Sequence, residues 1–447
     1  MTPEQISRVG AELEEFLGYI THQMGRSERR EALANYMRGL LLDGERKSMV
    51  PIAQRLAAAP GDSEAIRQQL QQAITIANWD EWELFRRLAL RVEDKLPGLD
   101  AFVIDDTGFP KKGKHSVGVQ RQYSGTMGRV DNCQVAASLH LASEAGGACI
   151  GMRLFLPEVW ANDPRRRTKA GVPEELSHQT KLELGLGMLD RALEWGLAPR
   201  PVIADAAYGD STEFRKGLEE RGLHYVLRIS GNAVVWPPGT CPSPPPSKAP
   251  GSKGRPRTKW VSPEGVEPVS VEELAKSLPA RRFRHVEWRH GTRGPQRRRF
   301  AVLRIRTAHR HRSGHPPGEV QWLLCEWSYK KKEPTAFYLS NLPAKTTVKR
   351  LVYLAKLRWR IERDYQEMKG ELGLDHFEGR TWRGFHHHVA LVAAAHAFLT
   401  LHRVIFSPED PEAESTASRA RADHPGIPSV TTSGPASLAG SLSHVRT

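Results

Sequence analysis

The sequence predicts a mixed α/β protein preceded by an all-helical segment and interrupted by a β-rich insertion. Three observations carry this. Residues 1–95 show apolar positions at helical spacing, as in Val9, Leu13, Phe16, Leu17 and Ile20. Beyond Pro97-Gly98, short apolar runs alternate with helical stretches. Residues 233–335 then combine a Pro-, Ser- and Gly-rich basic loop with alternating, strand-like segments.

In the first segment the stripes recur over Arg29 to Leu42, Ser48 to Ala59, Ala65 to Ile76 and Trp79 to Val92, divided by turn signals such as Pro60-Gly61-Asp62. Such a helical domain either binds DNA or packs on its neighbour; no helix-turn-helix signature separates the two. Residues 96–232 read as the first part of a core. Ala101 to Ile104 is an apolar run that stops at Asp105-Asp106-Thr107, and GFPKKGKHSVGV forms a Gly- and Lys-rich turn. Cys133 to Leu141 and Ala148 to Leu156 are further strands, Pro164 to Pro173 a basic loop, and Glu174 to Trp195 a helix. Pro201 to Ala204 is a buried strand stopping at Asp205; a helix over Ser211 to Arg221 and a strand over His224 to Ile229 follow. Residues 336–406 supply a last strand, the stretch Leu351 to Arg380 as one long helix ending near Gly373, and an apolar helix over Trp382 to Val404. Residues 407–447 are rich in Ser, Pro, Ala and Gly and are expected to be disordered.

Composition narrows the partners. The 447 residues carry a net charge of +14, which favours a polyanion, most often nucleic acid. The four cysteines are scattered with no CxxC pair, so neither a structural zinc site nor a disulfide framework is indicated, and a reducing cytoplasm fits. No apolar run reaches the length of a membrane span. His386, His387 and His388 are consecutive on a helix, point different ways and cannot form one metal site.

Three carboxylates stand out: Asp106, with Asp105 beside it, Asp205 and Glu362. Two end strands and one lies on a late helix. Singly, an Asp at a strand end is more often a turn or cap residue. Together, hard oxygen donors from three segments are the donor type that holds Mg²⁺ or Mn²⁺. Two such ions about 4 Å apart can activate an attacking oxygen and stabilise a leaving one in phosphodiester chemistry. Arg358 and Glu362 are four apart and share a helix face with Lys369, which is either an ion-pair ladder or a carboxylate flanked by phosphate-gripping cations.

At this point the sequence resembles the bacterial insertion-sequence transposases of the DDE superfamily. Val103-Ile104-Asp105-Asp106-Thr107 is similar to the family's strand ending in Asp-Thr. Val202-Ile203-Ala204-Asp205 is similar to its second motif. Arg358, Glu362 and Lys369 fall at the spacings of its Tyr-x2-Arg-x3-Glu-x6-Lys pattern, with Ala355 at the Tyr position. The resemblance implies an RNase H-like core, with the β-rich insertion filling the long interval between Asp205 and Glu362. It also implies two Mg²⁺ (or Mn²⁺) ions held by Asp106, Asp205 and Glu362. Asp105 competes with Asp106 for the first place, since strand alternation turns only one of them to the site. Arg358 and Lys369 would hold backbone phosphates, and Lys111 and Lys112 could also meet phosphate. The implied activity is cleavage of double-stranded DNA at transposon inverted repeats and strand transfer into target DNA. A homodimer pairing the two ends and a cytoplasmic, nucleoid-associated location are implied with it. The alternatives are a metal-dependent nuclease without strand transfer and an inactive DNA-binding relic.

Overall fold

A computed structural model describes residues 2–247, 258–262, 264–291 and 294–405. The expected tail at 407–447 and residues 248–257 of the Pro-rich basic loop therefore lie outside the described residues.

The leading helices are α1 (Pro3–Thr21), α2 (Ser27–Leu41), α3 (Met49–Leu56), α4 (Ser63–Gln71) and α5 (Glu81–Lys95). Local chemistry sets their starts. Thr2 and Gln5 form a capping box at α1, and the Asp80 side chain accepts from the Trp82 amide at α5. Their apolar stripes converge on a helix from the far end of the chain, described below.

The sheet begins with β1 (Ala101–Pro110), β2 (Gln120–Ser124), β3 (Arg129–Ala142) and β4 (Gly147–Leu154). Helices α6 (Glu158–Ala161), α7 (Pro164–Ala170) and α8 (Lys181–Glu194) lead to β5 (Val202–Ala204). Then come α9 (Ala206–Gly209), α10 (Thr212–Glu220) and β6 (Tyr225–Ile229). Strand β1 is central: β3 is antiparallel on one side, with β4 beyond it, while β5 and then β6 run parallel on the other. The order β4-β3-β1-β5-β6 is that of an RNase H-like core.

Residues 233–335 supply β7 (Val234–Trp236), β8 (Val269–Ser270), α11 (Val271–Ser277), β9 (Arg284–Gly291), β10 (Gly294–Thr307) and β11 (Val320–Trp327). These strands extend the core sheet, because β12 (Ala336–Ser340) pairs with β6 on one edge and β11 on the other. All twelve strands therefore belong to one sheet. The chain closes with α12 (Val348–Leu357), α13 (Trp359–Gly370) and α14 (Trp382–Ile405).

Helix α14 explains why the leading segment packs where it does. From Val389 to Ala397 its side chains are essentially all buried. A helix apolar all round needs cover on every side. Strand β4 and helices α2 and α5 supply it, and Phe16 meets Phe398 at 5.4 Å between ring centroids. Each fully buried Leu or Val side chain there contributes roughly 1.5–3 kcal/mol. The three consecutive histidines of α14 do point to separate partners. His386 sits between the Trp382 carbonyl and the Leu154 amide, His387 between the Ile74 and Trp79 carbonyls, and His388 between the Tyr36 hydroxyl and the Leu374 carbonyl.

Four elements differ from the sequence reading. The expected long helix is two, divided at Arg358, which caps the first and starts the second with helical dihedrals of φ −53° and ψ −25°. The basic stretch after Asp163 is helical (α7), because the Asp163 side chain caps it and Pro164 takes the first helical position. Helix α8 starts only at Lys181, where Thr180 and Glu183 form a capping box. Strand β1 does not stop at its aspartates but runs on to Pro110. Only the parallel neighbour β5 ends there, after pairing with 102–104, while β3 continues alongside.

Candidate active site

The two aspartates of β1 go to opposite faces of the sheet, as successive strand residues must. Asp106 meets the α8–α9 side. Its Oδ2 accepts from Lys181 Nζ and its Oδ1 accepts from the Tyr208 hydroxyl at 2.6 Å. Asp105 meets the α12–α13 side. Its Oδ2 accepts from the Arg358 guanidinium, and its Oδ1 accepts from the Asp106 amide at 2.9 Å. The other arm of Arg358 donates to Glu362, so one guanidinium links a β1 carboxylate to an α13 carboxylate.

Asp205 comes next to Asp105 through sheet register. Ile104 pairs with Ala204 in the parallel β1–β5 ladder, and Asp105 and Asp205 are the next residues on each strand. Asp205 leaves the sheet as the N-cap of α9, its Oδ1 accepting from the Ala207 amide at 2.9 Å. A cavity of about 180 Å³ opens beside this strand end, lined by Ile203, Arg228, Tyr338, Lys356, Arg358 and Glu362.

The electrostatics report the same convergence. Burial pushes the Asp105 carboxyl up to about 7. Arg358 opposes the rise, while the charges of Asp205 and Asp106 add to it. Asp106 is also raised by burial, against the pull of Lys181 and Tyr208 and with a further push from Asp205. Burial disfavours the charge on Arg358, yet Asp105, Glu362 and Asp205 together raise its pKa. Arg358 is thus the common counter-ion of three carboxylates from three distant segments.

The other predicted contacts are placed differently from one another. Lys369 Nζ donates to the Gly108 carbonyl at 2.8 Å and lies over the Phe109 ring, and burial lowers its pKa. Lys111 Nζ donates to the Phe377 carbonyl at 2.8 Å. Both ammonium groups are therefore engaged inside the fold, tying β1 and the turn after it to α13 and the segment beyond. Lys112 is exposed. Ala355, at the Tyr position of the pattern, is buried in α12. A tyrosine hydroxyl nonetheless reaches this region from a different place: Tyr365 donates to the Asp105 carbonyl at 3.2 Å and is bonded to Ser138 Oγ at 2.6 Å. The sequence reading missed Tyr365, Tyr208 and Lys181. Tyr208 had a signal, one helical turn past Asp205; Lys181 had none.

Among the described residues, no three His, Cys, Asp or Glu side chains stand close enough together to hold a metal ion as they are. The donor set nevertheless suits one. Asp105, Asp205 and Glu362 offer only carboxylate oxygens, burial and then the charge of Asp205 raise Asp105 against the pull of Arg358, and that cationic group already links Asp105 to Glu362. Among the described residues no helix is long and apolar enough to cross a membrane.

Over 203 residues the chain is 32% identical to the probable transposase for insertion sequence element IS701 of Microchaete diplosiphon, covering 44% of this chain and 48% of that one. The chain thus spans about half the length of this curated relative. A solved structure of the piggyBac transposase synaptic complex with hairpin DNA aligns with 91% of this chain and 82% of its own. Its identity of 11% and TM-score of 0.35 are too low to bear on the argument. The family model described as DDE superfamily endonuclease matches residues 17–295, a stretch that holds Asp105, Asp106 and Asp205 and stops short of Glu362. With more than half of its length matched, the chain belongs to the DDE superfamily endonuclease family.

Proposed function

We propose that this protein is a DNA transposase that cuts double-stranded DNA at the inverted repeats of its element and joins the freed 3′-hydroxyl to target DNA. The observation that carries the proposal is the shared counter-ion: Arg358 bonds both Asp105 and Glu362, and strand register brings Asp205 alongside Asp105. The acidic set is then Asp105, Asp205 and Glu362. Asp106 belongs to the opposite face, with both of its oxygens engaged by Lys181 and Tyr208.

Two divalent cations of the magnesium class, held by Asp105, Asp205 and Glu362, would supply activation of the attacking oxygen and neutralisation of charge on the leaving one. The chain's own residues do the rest. Asp205 is aimed by its capping bond to Ala207, and Asp105 by its bond to the Asp106 amide. Arg358, whose two arms lie beside Asp105 and Glu362, has the fork geometry to grip a backbone phosphate with two parallel N–H donors. Exposed Lys112 adds a further phosphate contact. Lys369 and Lys111 act indirectly, by anchoring β1 and its following turn. The homodimer, nucleoid association and the domain boundaries at 95, 232, 335 and 406 belong to the same proposal.

The test uses the full chain with Mg²⁺ and a labelled duplex carrying the inverted repeats that flank its coding region. Wild type is expected to cut and to give a joined plasmid product. Asp205→Asn and Glu362→Gln are expected to bind the duplex and leave it uncut. Cutting without joining would reduce the proposal to a nuclease, and undiminished cutting by both variants would overturn it.

A further inference from the structure

We propose that Asp106 is a positioning residue: with Lys181 and Tyr208 it fixes the spacing between the strand end bearing Asp105 and the helical turn that begins at Asp205. It would thereby set the affinity of the carboxylate cluster for its divalent cation. This rests on the functional reading above and adds a role for a residue outside the acidic set.

The geometry is a chain of short links. Asp106 Oδ1 accepts from the Tyr208 hydroxyl at 2.6 Å, and Tyr208 belongs to α9, whose first capping bond is made by the Asp205 side chain. Tyr208 is 1% exposed and packs edge-on against Phe214 at 5.2 Å between centroids, so its ring cannot drift. On its other side α9 is pressed against β6. A methyl group placed on Gly209 would sit 1.9 Å from the Arg228 carbonyl oxygen, and the Gly209 amide donates to the Asp205 carbonyl at 2.8 Å. The turn bearing Asp205 is therefore held by β6 behind it and by the Asp106–Tyr208 bond to β1. Lys181 completes the set. Its ammonium pairs with Asp106 Oδ2, compensating the charge of a carboxylate whose side chain is only 19% exposed. Asp105 and Asp106 thus divide the labour: one faces the reacting side, the other ties the second strand's helix to the first strand.

Two variants test this. Tyr208→Phe keeps the ring in its packing and removes only the hydroxyl, and Asp106→Asn keeps the shape and removes the charge. Mn²⁺ binding is measured directly by calorimetry on the full chain, beside kcat and KM for cleavage of the inverted-repeat duplex. Removing a group that orients metal ligands typically costs about 10–100-fold in metal affinity or activity. Both variants are expected to bind Mn²⁺ about tenfold more weakly than wild type and to lose kcat with KM for DNA unchanged. If Tyr208→Phe matches wild type in Mn²⁺ affinity and kcat, the positioning role is overturned. If Asp106→Asn abolishes Mn²⁺ binding as completely as Asp105→Asn while Tyr208→Phe is silent, Asp106 is a ligand and the role is again overturned. A wild-type chain that neither binds Mn²⁺ nor cuts DNA would remove the functional reading itself, and the positioning role with it.

Discussion

Mild acid should weaken this fold through two histidines of α14. His386 and His388 are fully enclosed, and burial holds their pKa values down at about 3 and about 4, from an ordinary 6.5. Each is satisfied as a neutral ring. His386 donates from Nδ1 to the Trp382 carbonyl and accepts the Leu154 amide on Nε2; His388 donates from Nε2 to the Leu374 carbonyl and accepts the Tyr36 hydroxyl on Nδ1. Protonation would set His386 Nε2–H against the Leu154 amide, while at His388 the Tyr36 hydroxyl can turn to accept and burial alone opposes the charge. The unfolded chain takes up these protons below pH 6.5 and the native chain does not. Their contribution is therefore whole above that pH and is lost progressively as pH falls toward 4. Two groups give a slope of about 2.7 kcal/mol per pH unit, or about 3 kcal/mol between pH 7.5 and 5.5. Against a total stability of roughly 5–15 kcal/mol, that is a large fraction. His387, which burial also lowers to about 4 against the pull of its two carbonyl partners, is left out of the sum because it is common to the two chains compared below. The assay is urea unfolding of wild type and of His386→Gln/His388→Gln at several pH values from 7.5 to 5.5. Wild-type stability should fall more steeply than the variant's by about two protons' worth. Parallel pH profiles would refute the reasoning, since every other titrating group is common to the two chains.

Three further outcomes follow from the same geometry. Arg153→Met should cost about 3–5 kcal/mol in thermal or urea unfolding, because it strands Glu81. Burial raises that carboxyl, but Arg153, with a contact at 2.5 Å, and the neighbouring His386 bring it down to about 2. Gly209→Ala should destabilise by about 1–3 kcal/mol or more and lower duplex cleavage, since its added carbon collides with backbone at Arg228 and not with a movable side chain. Lys369→Met should lower stability by about 1 kcal/mol through the lost bond to the Gly108 carbonyl while leaving the salt dependence of DNA binding unchanged. A salt slope reduced by about one would instead mark Lys369 as a phosphate contact.

Much of this protein is legible in the chain itself. Helical periodicity in residues 1–95, apolar runs stopping at Asp105 and Asp205, and the spacing of Arg358 and Glu362 are properties of local sequence. They suffice for an α/β core with carboxylates at strand ends and a basic, helix-borne third motif. Alternation alone establishes that Asp105 and Asp106 must part company. It cannot say which way each turns, because the two faces of β1 are distinguished only by what packs on them: α8 and α9 on one, the α12–α13 junction on the other. The same limit explains Lys369 and Lys111. As sequence they are free cations, and only the folded chain brings the Gly108 and Phe377 carbonyls within reach. Tertiary structure likewise decided that Arg358 reaches Asp105, a partner more than two hundred and fifty positions away in the chain, besides Glu362 four positions on. Local sequence thus determined which groups exist and on what kind of element. Long-range packing decided which of them share a dielectric and a counter-ion, because those depend on segments far apart in the chain meeting in space.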